Sequence, residues 1–175
     1  MLGKVIIPTH TIEHIVGDLA AQIDSWYFGK IHEENPLAIV CILKGSILFT
    51  SDLIRKLQVP LVLDFLEVES YVGTQSKQTV RLTKGLSMPI AGKDVLIVED
   101  IIDTGLTMKF LVNYMSAFNP KSLRICSLLY KKEKCKYPVK IDFLGTEVID
   151  IFVVGYGLDF QGMYRNLTSI REWKI

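Results

Sequence analysis

Short apolar runs alternate with segments of helical periodicity along most of the chain, and this alternation strongly restricts its fold. The run Leu37–Leu43 is apolar throughout and follows Asn35-Pro36. A continuous run of this length is typical of a strand that is buried on both faces. Similar runs occur at residues 61–68, 95–98, 123–130 and 151–154. Buried strands separated by helices predict an α/β fold, with a mostly parallel central sheet flanked by helices.

The connecting segments are predicted from helical periodicity and chain breakers. Thr9 is the predicted N-cap of a first helix, and Asn119-Pro120 ends a helix over about 107–118. A helix after residue 46 is predicted, and its apolar face includes Ile47, Leu48, Leu53, Ile54 and Leu57. Residues 141–143 and 151–154 are predicted strands. The polar stretch 69–79 has little to bury, which predicts a functional loop.

Composition excludes several classes of protein. A chain of 175 residues predicts one domain, and a net charge of +1 gives no general attraction to nucleic acid or to anionic lipid. The longest apolar run has far fewer than the roughly 20 residues that a transmembrane helix needs. Cys41, Cys126 and Cys135 are odd in number and lack CxxC spacing, so neither a disulfide framework nor a zinc site is indicated. We therefore expect a cytoplasmic protein without nucleic-acid or membrane partners.

An acidic turn follows the strand-like run at residues 95–98. Glu99 and Asp100 end the run, and residues 103–107 (Asp-Thr-Gly-Leu-Thr) lead into the next helix. Two adjacent carboxylates can hold hydrated Mg²⁺ or accept hydrogen bonds from sugar hydroxyls. The turn offers backbone N–H groups, hydroxyls and a helix dipole to a phosphate, although a plain capped turn with solvated acids has the same pattern. Lys44-Gly45-Ser46, after another buried strand, suits a second anion site.

The segment Val95-Leu-Ile-Val-Glu-Asp-Ile-Ile-Asp-Thr-Gly-Leu-Thr107 resembles the phosphoribosyl-pyrophosphate (PRPP) motif of the type I phosphoribosyltransferases. The remaining motifs resemble those of the hypoxanthine-guanine phosphoribosyltransferases, in family order, at residues 43–45, 70–71, 127–131, 152–159 and 164–167. The resemblance covers about 37–167. It implies one phosphoribosyltransferase domain, with a core at about 37–130 and a small hood formed by the chain ends at about 1–10 and 131–175.

The implied reaction is one of purine salvage. A Mg²⁺-dependent enzyme transfers the 5-phosphoribosyl group of PRPP to N9 of a 6-oxopurine, hypoxanthine or guanine, and releases pyrophosphate. Asp103 would be the general base or acid at purine N7. Glu99 and Asp100 would contact the ribose hydroxyls and Mg²⁺. The 5′-phosphate would be bound by Thr104, Gly105, Leu106 and Thr107, with Leu106 contributing only its backbone N–H.

The resemblance also assigns residues to the pyrophosphate group and to the purine. Lys44, Gly45 and Arg165 would bind pyrophosphate, and the Leu43–Lys44 peptide can be cis in the family. Lys131 would donate to purine O6, whereas Lys132, Lys134 and Lys136 are interpreted as solvated. Phe152 would stack on the purine and the Val153 backbone would contact its edge. Asp159 would contact a second Mg²⁺, and Ser70-Tyr71 would close over the reacting centre. A homodimer or homotetramer is implied.

Other interpretations of the sequence remain open. A phosphoribosyltransferase for another base, such as xanthine, and a non-catalytic PRPP-sensing regulator of the same fold are the main alternatives. The ranking of hypoxanthine, guanine and xanthine depends on contacts to the C2 edge of the purine, which the sequence does not specify. His10-Thr-Ile-Glu-His14 matches the H-x-x-E-H pattern of some zinc proteases, but it lies in the first turn of a predicted short helix in a small chain.

Overall fold

The computed structural model describes residues 1–72 and 78–174, and the side chains of residues 70–72 and 78 are outside the described part. The helices are α1 (Thr9–Tyr27), α2 (Ile47–Ile54) and α3 (Leu106–Ser116), with a short 3₁₀ turn at Lys132–Lys134. The strands are β1 (Leu2–Ile7), β2 (Leu37–Leu43), β3 (Leu61–Val72), β4 (Gln78–Lys84), β5 (Asp94–Ile102), β6 (Ser122–Tyr130), β7 (Phe143–Glu147), β8 (Val153–Val154) and β9 (Ile170–Trp173).

A six-stranded sheet in the order β4-β3-β2-β5-β6-β7 forms the centre of the fold. Strands β3, β2, β5, β6 and β7 are parallel, and only the β3–β4 pair is antiparallel. The central strands are apolar on both faces because helices cover both sides of the sheet. The predicted α/β class and the mostly parallel sheet are confirmed.

The two faces of the sheet carry separate hydrophobic clusters. Leu96 of β5 packs with Ile12 and Leu19 of α1, in a cluster that also includes α2. Ile97, the next residue, packs on the opposite side with the Met108 and Leu111 side chains of α3. Successive strand residues point to opposite faces, so one apolar run supplies both clusters. Helices α2 and α3 therefore leave the sheet on opposite sides.

The two ends of the chain form a second, smaller sheet. Its three strands lie in the order β1-β9-β8 and are antiparallel. Ile170 of β9 is fully buried in the same cluster as α1, which fixes this sheet to the main body. The loop after β8 reaches the end of β2: Gly157 has φ +97°, and a Cβ there would overlap the Gly45 carbonyl oxygen. Both the conformation and the close approach require glycine.

Several predicted boundaries were wrong. The polar stretch 69–79 is not simply a loop, because β3 continues to Val72 and pairs with β4 from Gln78 onward in an antiparallel hairpin. Pro8, not Thr9, is the N-cap of α1. The strand predicted at 141–143 begins at Phe143, and the last apolar run forms strand only at Val153–Val154. Ladder hydrogen bonds to β4 extend β3 beyond its apolar core, and apolar periodicity does not report such pairing.

The apolar face of α2 also differs from its prediction. Ile47 and Leu48 are 44% and 38% exposed, so their placement on the buried face was wrong, and Phe49, which was not predicted there, is fully buried. The predicted burial of Leu53 and Leu57 is confirmed.

Two sequence features concerning metals and membranes can be compared with the structure. His10 and His14 are both exposed in the first turns of α1. Within residues 1–72 and 78–174, no three His, Cys, Asp or Glu side chains cluster in a way that would hold a metal ion. Over the same residues, no helix has both the length and the apolar character needed to cross a bilayer.

Candidate active site

The order of strands changes direction at β2, and the candidate site lies at that point. Strand β2 pairs with β3 on one side and with β5 on the other. Because the segments after β2 and β5 lead to helices on opposite faces, a crevice forms between them at the carboxyl ends of the strands. Lys44–Ser46 and the acidic turn are therefore brought together by topology.

A cavity of about 550 Å³ occupies this crevice. Three separate parts of the sequence line it: the turn after β2, the acidic end of β5 with the turn that follows it, and the segment from Phe152 to Arg165. Residues of the segments that follow β6 and β7 complete the wall. The lining residues are Lys44, Gly45, Asp100, Ile101, Asp103, Lys131, Lys134, Asp150, Phe152, Val153, Leu158, Asp159 and Arg165. The cavity is thus lined by nine ionisable or aromatic side chains that come from distant positions in the chain.

The turn after β2 packs tightly against the acidic turn. The Leu43–Lys44 peptide bond is cis. A Cβ on Gly45 would overlap Oδ2 of Asp100, so only glycine allows the backbone to approach this carboxylate. Ser46 is fully buried and its hydroxyl donates to the Ile42 carbonyl oxygen at 2.5 Å. Lys44 is mostly exposed, with Nζ 3.4 Å from Glu67. The turn is therefore held by its backbone and by Ser46.

Glu99 and Asp100 are adjacent carboxyl groups that are each only 7% exposed. Burial and the charge of Asp100 raise the pKa of Glu99 well above its usual value, and burial also raises the pKa of Asp100. Two buried carboxylates that repel each other form a donor set that suits Mg²⁺, which commonly takes one or two carboxylates and completes its shell with substrate oxygens and water. These two residues therefore fit the metal that the resemblance implies.

The predicted phosphate turn encloses a second, smaller cavity of about 70 Å³, which Glu99 and Asp103 also line. Gly105 has φ +82° and is the N-cap of α3, and a Cβ there would overlap the Tyr137 carbonyl oxygen. Thr104 and Thr107 line the cavity, and the Leu106 N–H points to Thr104 Oγ1 at 3.4 Å. Backbone N–H groups at the start of a helix and two hydroxyls around a small cavity can bind a phosphate.

The wall contributed by the chain's C-terminal part is aromatic and basic. Phe152 is 41% exposed, packs edge-to-face with Phe160 and lines the cavity, so part of its ring is accessible there. The neighbouring Val153 is buried in β8. Arg165 pairs with Asp159 at 2.7 Å and donates to the Gly157 carbonyl oxygen at 2.5 Å. These contacts fix the guanidinium at the rim.

The opposite wall carries a cluster of two lysines and two aspartates. Lys131 is 5% exposed, and its Nζ lies 3.3 Å from Asp150 and 3.8 Å from Asp103. Lys134 Nζ donates to Asp103 Oδ2 at 2.9 Å. The interpretation of Lys134 as a solvated residue was wrong, because the 3₁₀ turn Lys132–Lys134 directs it back into the cavity.

Asp150 was missed entirely. Its position two residues before Phe152 was the only signal in the sequence. Ser70 and Tyr71 belong to β3, but their side chains are outside the described residues.

Comparisons with known proteins give a consistent relationship. Residues 6–161 match the family described as phosphoribosyl transferase domain. The chain is 43% identical over 170 residues to a hypoxanthine-guanine phosphoribosyltransferase of Bacillus subtilis, covering 97% of this chain and 92% of that protein. It is 41% identical over 168 residues to the protein of the same name from Aquifex aeolicus, covering 95% and 92%.

A solved structure agrees with these sequence relationships. The crystal structure of a hypoxanthine-guanine phosphoribosyltransferase from Bacillus anthracis superposes with a TM-score of 0.92 at 35% identity, covering 99% of this chain and 100% of that one. The fold, the position of the cavity and the sequence similarity over nearly the whole chain therefore indicate the same family. The chain belongs to the phosphoribosyltransferase family, and within it to the hypoxanthine-guanine phosphoribosyltransferases.

Proposed function

We propose that the protein transfers the 5-phosphoribosyl group of PRPP to N9 of hypoxanthine or guanine, and releases pyrophosphate. The observation that carries this proposal is the shared cavity of about 550 Å³ between Gly45, the acidic turn and the segment from Phe152 to Arg165. The cavity is lined by cationic groups, carboxylates and the partly exposed Phe152 ring. Binding a sugar that carries two anionic groups, together with a planar base, requires these kinds of group. The relatives named for this activity match nearly the whole chain.

The anionic ends of PRPP would bind at opposite sides of the acidic turn. The 5′-phosphate would occupy the small cavity at residues 104–107, where N–H groups at the start of α3 and the hydroxyls can donate to it. Pyrophosphate would lie beside the backbone of Lys44 and Gly45 and face Arg165, whose guanidinium is already oriented by Asp159. Arginine suits this position because its planar donors match phosphate oxygens.

The purine would occupy the side of the cavity that the Phe152 ring lines. Phe152 would stack on the ring, and the Val153 backbone would contact the edge of the base. Lys131 would donate to O6. A 6-amino group cannot accept that hydrogen bond and would bring its own N–H donors against the buried ammonium, so adenine should be rejected. Asp159 would lie near the C2 edge and a second Mg²⁺.

Bond breaking at C1 of the ribose gives the sugar oxocarbenium character as pyrophosphate leaves. Asp103 would accept the N7 proton as N9 attacks, and general base catalysis of this kind contributes about 10²–10⁴-fold to rate. Glu99 and Asp100 would hold Mg²⁺ and the ribose hydroxyls. When bound, Mg²⁺ would neutralise charge on the leaving group. Ser70 and Tyr71 would close over the reacting centre and exclude water.

We also propose a cytoplasmic homodimer or homotetramer. The three free cysteines, two of them buried, support a reducing compartment. The exposed apolar pair Ile47 and Leu48 supports self-association through the start of α2. A non-catalytic regulator is not favoured, because the matched relatives are named as transferases.

Steady-state assays with PRPP, Mg²⁺ and each of hypoxanthine, guanine, xanthine and adenine test this function. We expect turnover with hypoxanthine or guanine and none with adenine. Product is measured by the change in ultraviolet absorbance when the nucleotide forms, and pyrophosphate release is measured in parallel. Absence of turnover with both hypoxanthine and guanine, in a folded sample, would contradict the proposal.

A further inference from the structure

Asp103 is held asymmetrically by the lysines of the opposite wall. Its Oδ2 accepts from Lys134 Nζ at 2.9 Å and lies 3.8 Å from Lys131 Nζ. Its Oδ1 is buried and has no hydrogen-bond partner among the described residues. A buried carboxylate oxygen without a donor is costly, since such atoms are normally hydrogen-bonded. The arrangement therefore leaves one oxygen of Asp103 for a donor that is supplied by a ligand.

Asp150, which also lines the cavity, contacts both of these lysines. Its Oδ1 lies 3.3 Å from Nζ of Lys131 and 3.3 Å from Nζ of Lys134. Lys131 is thus placed between two carboxylates, with the shorter contact to Asp150. If Lys134 did not occupy Oδ2 of Asp103, that oxygen would be free to attract Lys131. The two lysines and two aspartates (Asp103, Lys131, Lys134 and Asp150) therefore form a cluster in which positive and negative charges balance.

Lys134 differs from its neighbour in the same turn. The Lys134 side chain is 36% exposed and lines the cavity, whereas Lys132 is 68% exposed and pairs outward with Glu147 at 3.6 Å. The hydrogen bond to Asp103 raises the pKa of Lys134 above its usual value, so Lys134 remains charged across the range of an assay. An ordinary surface ion pair contributes little, but this one engages a residue of the reaction centre.

We propose that Lys134 and Asp150 are positioning residues of the transferase: Lys134 holds Oδ2 of Asp103 so that Oδ1 receives the purine proton, and Asp150 holds Lys131 at purine O6. This inference rests on the proposed function and adds two residues to it. Lys134 acts through Asp103 and should affect kcat. Asp150 acts through Lys131 and should affect the KM for the purine.

The first experiment compares Lys134→Met, Lys134→Arg and the matched control Lys132→Met, with hypoxanthine, PRPP and Mg²⁺. We expect kcat to fall about tenfold or more in Lys134→Met and to be largely restored in Lys134→Arg. The loss should be smaller than the roughly 10²–10⁴-fold that proton transfer itself contributes, because Asp103 remains in place. Lys132→Met should behave as the unsubstituted protein. Thermal melting of each variant checks folding, and Lys134→Gln replaces the methionine variant if the latter does not fold.

The pH profile of kcat separates positioning from a structural role. The charged groups around Asp103 are Lys131 and Lys134, with Glu99 in the adjoining small cavity and Asp150 in contact with both lysines. Loss of the Lys134 cation removes the opposite charge that lies 2.9 Å from the Asp103 carboxylate, so the acidic limb of the kcat profile should move to higher pH. A destabilised but correctly arranged site would keep its acidic limb in place.

The second experiment uses Asp150→Asn, which leaves the Lys134–Asp103 pair intact. We expect the KM for hypoxanthine to increase about tenfold, because one oriented polar contact to the base is lost. The value of kcat should change less, and the acidic limb of its pH profile should not move. Unchanged kinetics in both Lys134→Met and Asp150→Asn, beside an active unsubstituted protein, would overturn the inference. An inactive unsubstituted protein would instead contradict the proposed function, so the two failures are distinguishable.

Discussion

Gly45 and Asp100 are in direct contact across the strand-order change, at a separation that no side chain on residue 45 would allow. A Cβ there would overlap Asp100 Oδ2. Gly45 follows β2 and Asp100 lies near the end of β5, and these two strands pair in parallel. The contact joins the proposed pyrophosphate turn to the proposed metal and ribose carboxylates, so the geometry of one depends on the other.

Substitution of Gly45 should therefore disable the site more than the fold. In Gly45→Ala the methyl group must displace either the turn or the Asp100 carboxylate. Because displacements of about 1 Å can cost 10²-fold, we expect kcat/KM for PRPP to fall by about that factor. The measurement is steady-state kinetics with PRPP varied.

The matched control for this substitution is Gly17→Ala. Gly17 lies within α1, and a Cβ there meets nothing within 4 Å. Alanine is the better helix former, so this variant should gain about 0.5–1 kcal/mol of stability and keep full activity. An active Gly45→Ala enzyme would show that the turn can move without loss of substrate binding.

Asp103→Asn removes the proposed base while keeping the shape of the side chain. We expect kcat to fall by about 10²-fold or more, with the KM for PRPP changed little, because proton transfer and not PRPP binding is lost. Steady-state kinetics in the direction of nucleotide synthesis checks this. An unchanged kcat would remove Asp103 from proton transfer.

Phe152→Ala tests the proposed stacking on the purine. The ring is 41% exposed and lines the cavity, so its removal costs little core packing. We expect the KM for hypoxanthine to rise about tenfold, with the KM for PRPP and the melting temperature nearly unchanged. Phe28→Ala, at an 86% exposed position on another surface, is the control. Equal effects on both substrates would argue against stacking.

Asp64 links β3 to the loop that follows β4. Its Oδ2 accepts from the Ser87 and Met88 N–H groups at 2.6 and 3.0 Å, and its Oδ1 accepts from the Phe65 N–H at 2.8 Å. Burial opposes ionisation, but these donors and Lys84 outweigh it and hold the pKa of Asp64 below its usual value. In Asp64→Asn an amide N–H would face these donors, so we expect a loss of about 1–3 kcal/mol at pH 7.

The pH dependence of this loss has a definite sign. Since the pKa of Asp64 is lower in the folded state, its contribution is present above the unfolded pKa and is lost as pH falls through the folded value. The gap between Asp64→Asn and the unsubstituted protein should therefore shrink on acidification below about pH 4. Urea unfolding at several pH values measures it, with exposed Asp18→Asn as control. A gap that stayed constant with pH would contradict the assignment.

Local signals in the sequence were sufficient for the class of fold and for much of the site. The apolar runs identified β2 and β5 because a strand buried on both faces must be apolar along its length. The acidic turn was identified because Glu99, Asp100 and Gly105 lie in one short segment of the chain. Their pattern can therefore be recognised without knowledge of long-range contacts. Even so, the end of β3 and the start of β4 were predicted as part of a loop over residues 69–79, since their ladder hydrogen bonds depend on pairing between strands and not on side-chain polarity.

Tertiary structure alone decided which groups face one another. Lys132 and Lys134 are equivalent in sequence terms, but the direction of the turn after β6 sends the first to solvent and the second to Asp103. Asp150 follows a different strand and reaches the same lysines only because β6 and β7 are neighbours in the sheet. Composition and spacing along the chain specify local chemistry, whereas the pairing of charges about 3 Å apart depends on contacts between distant segments.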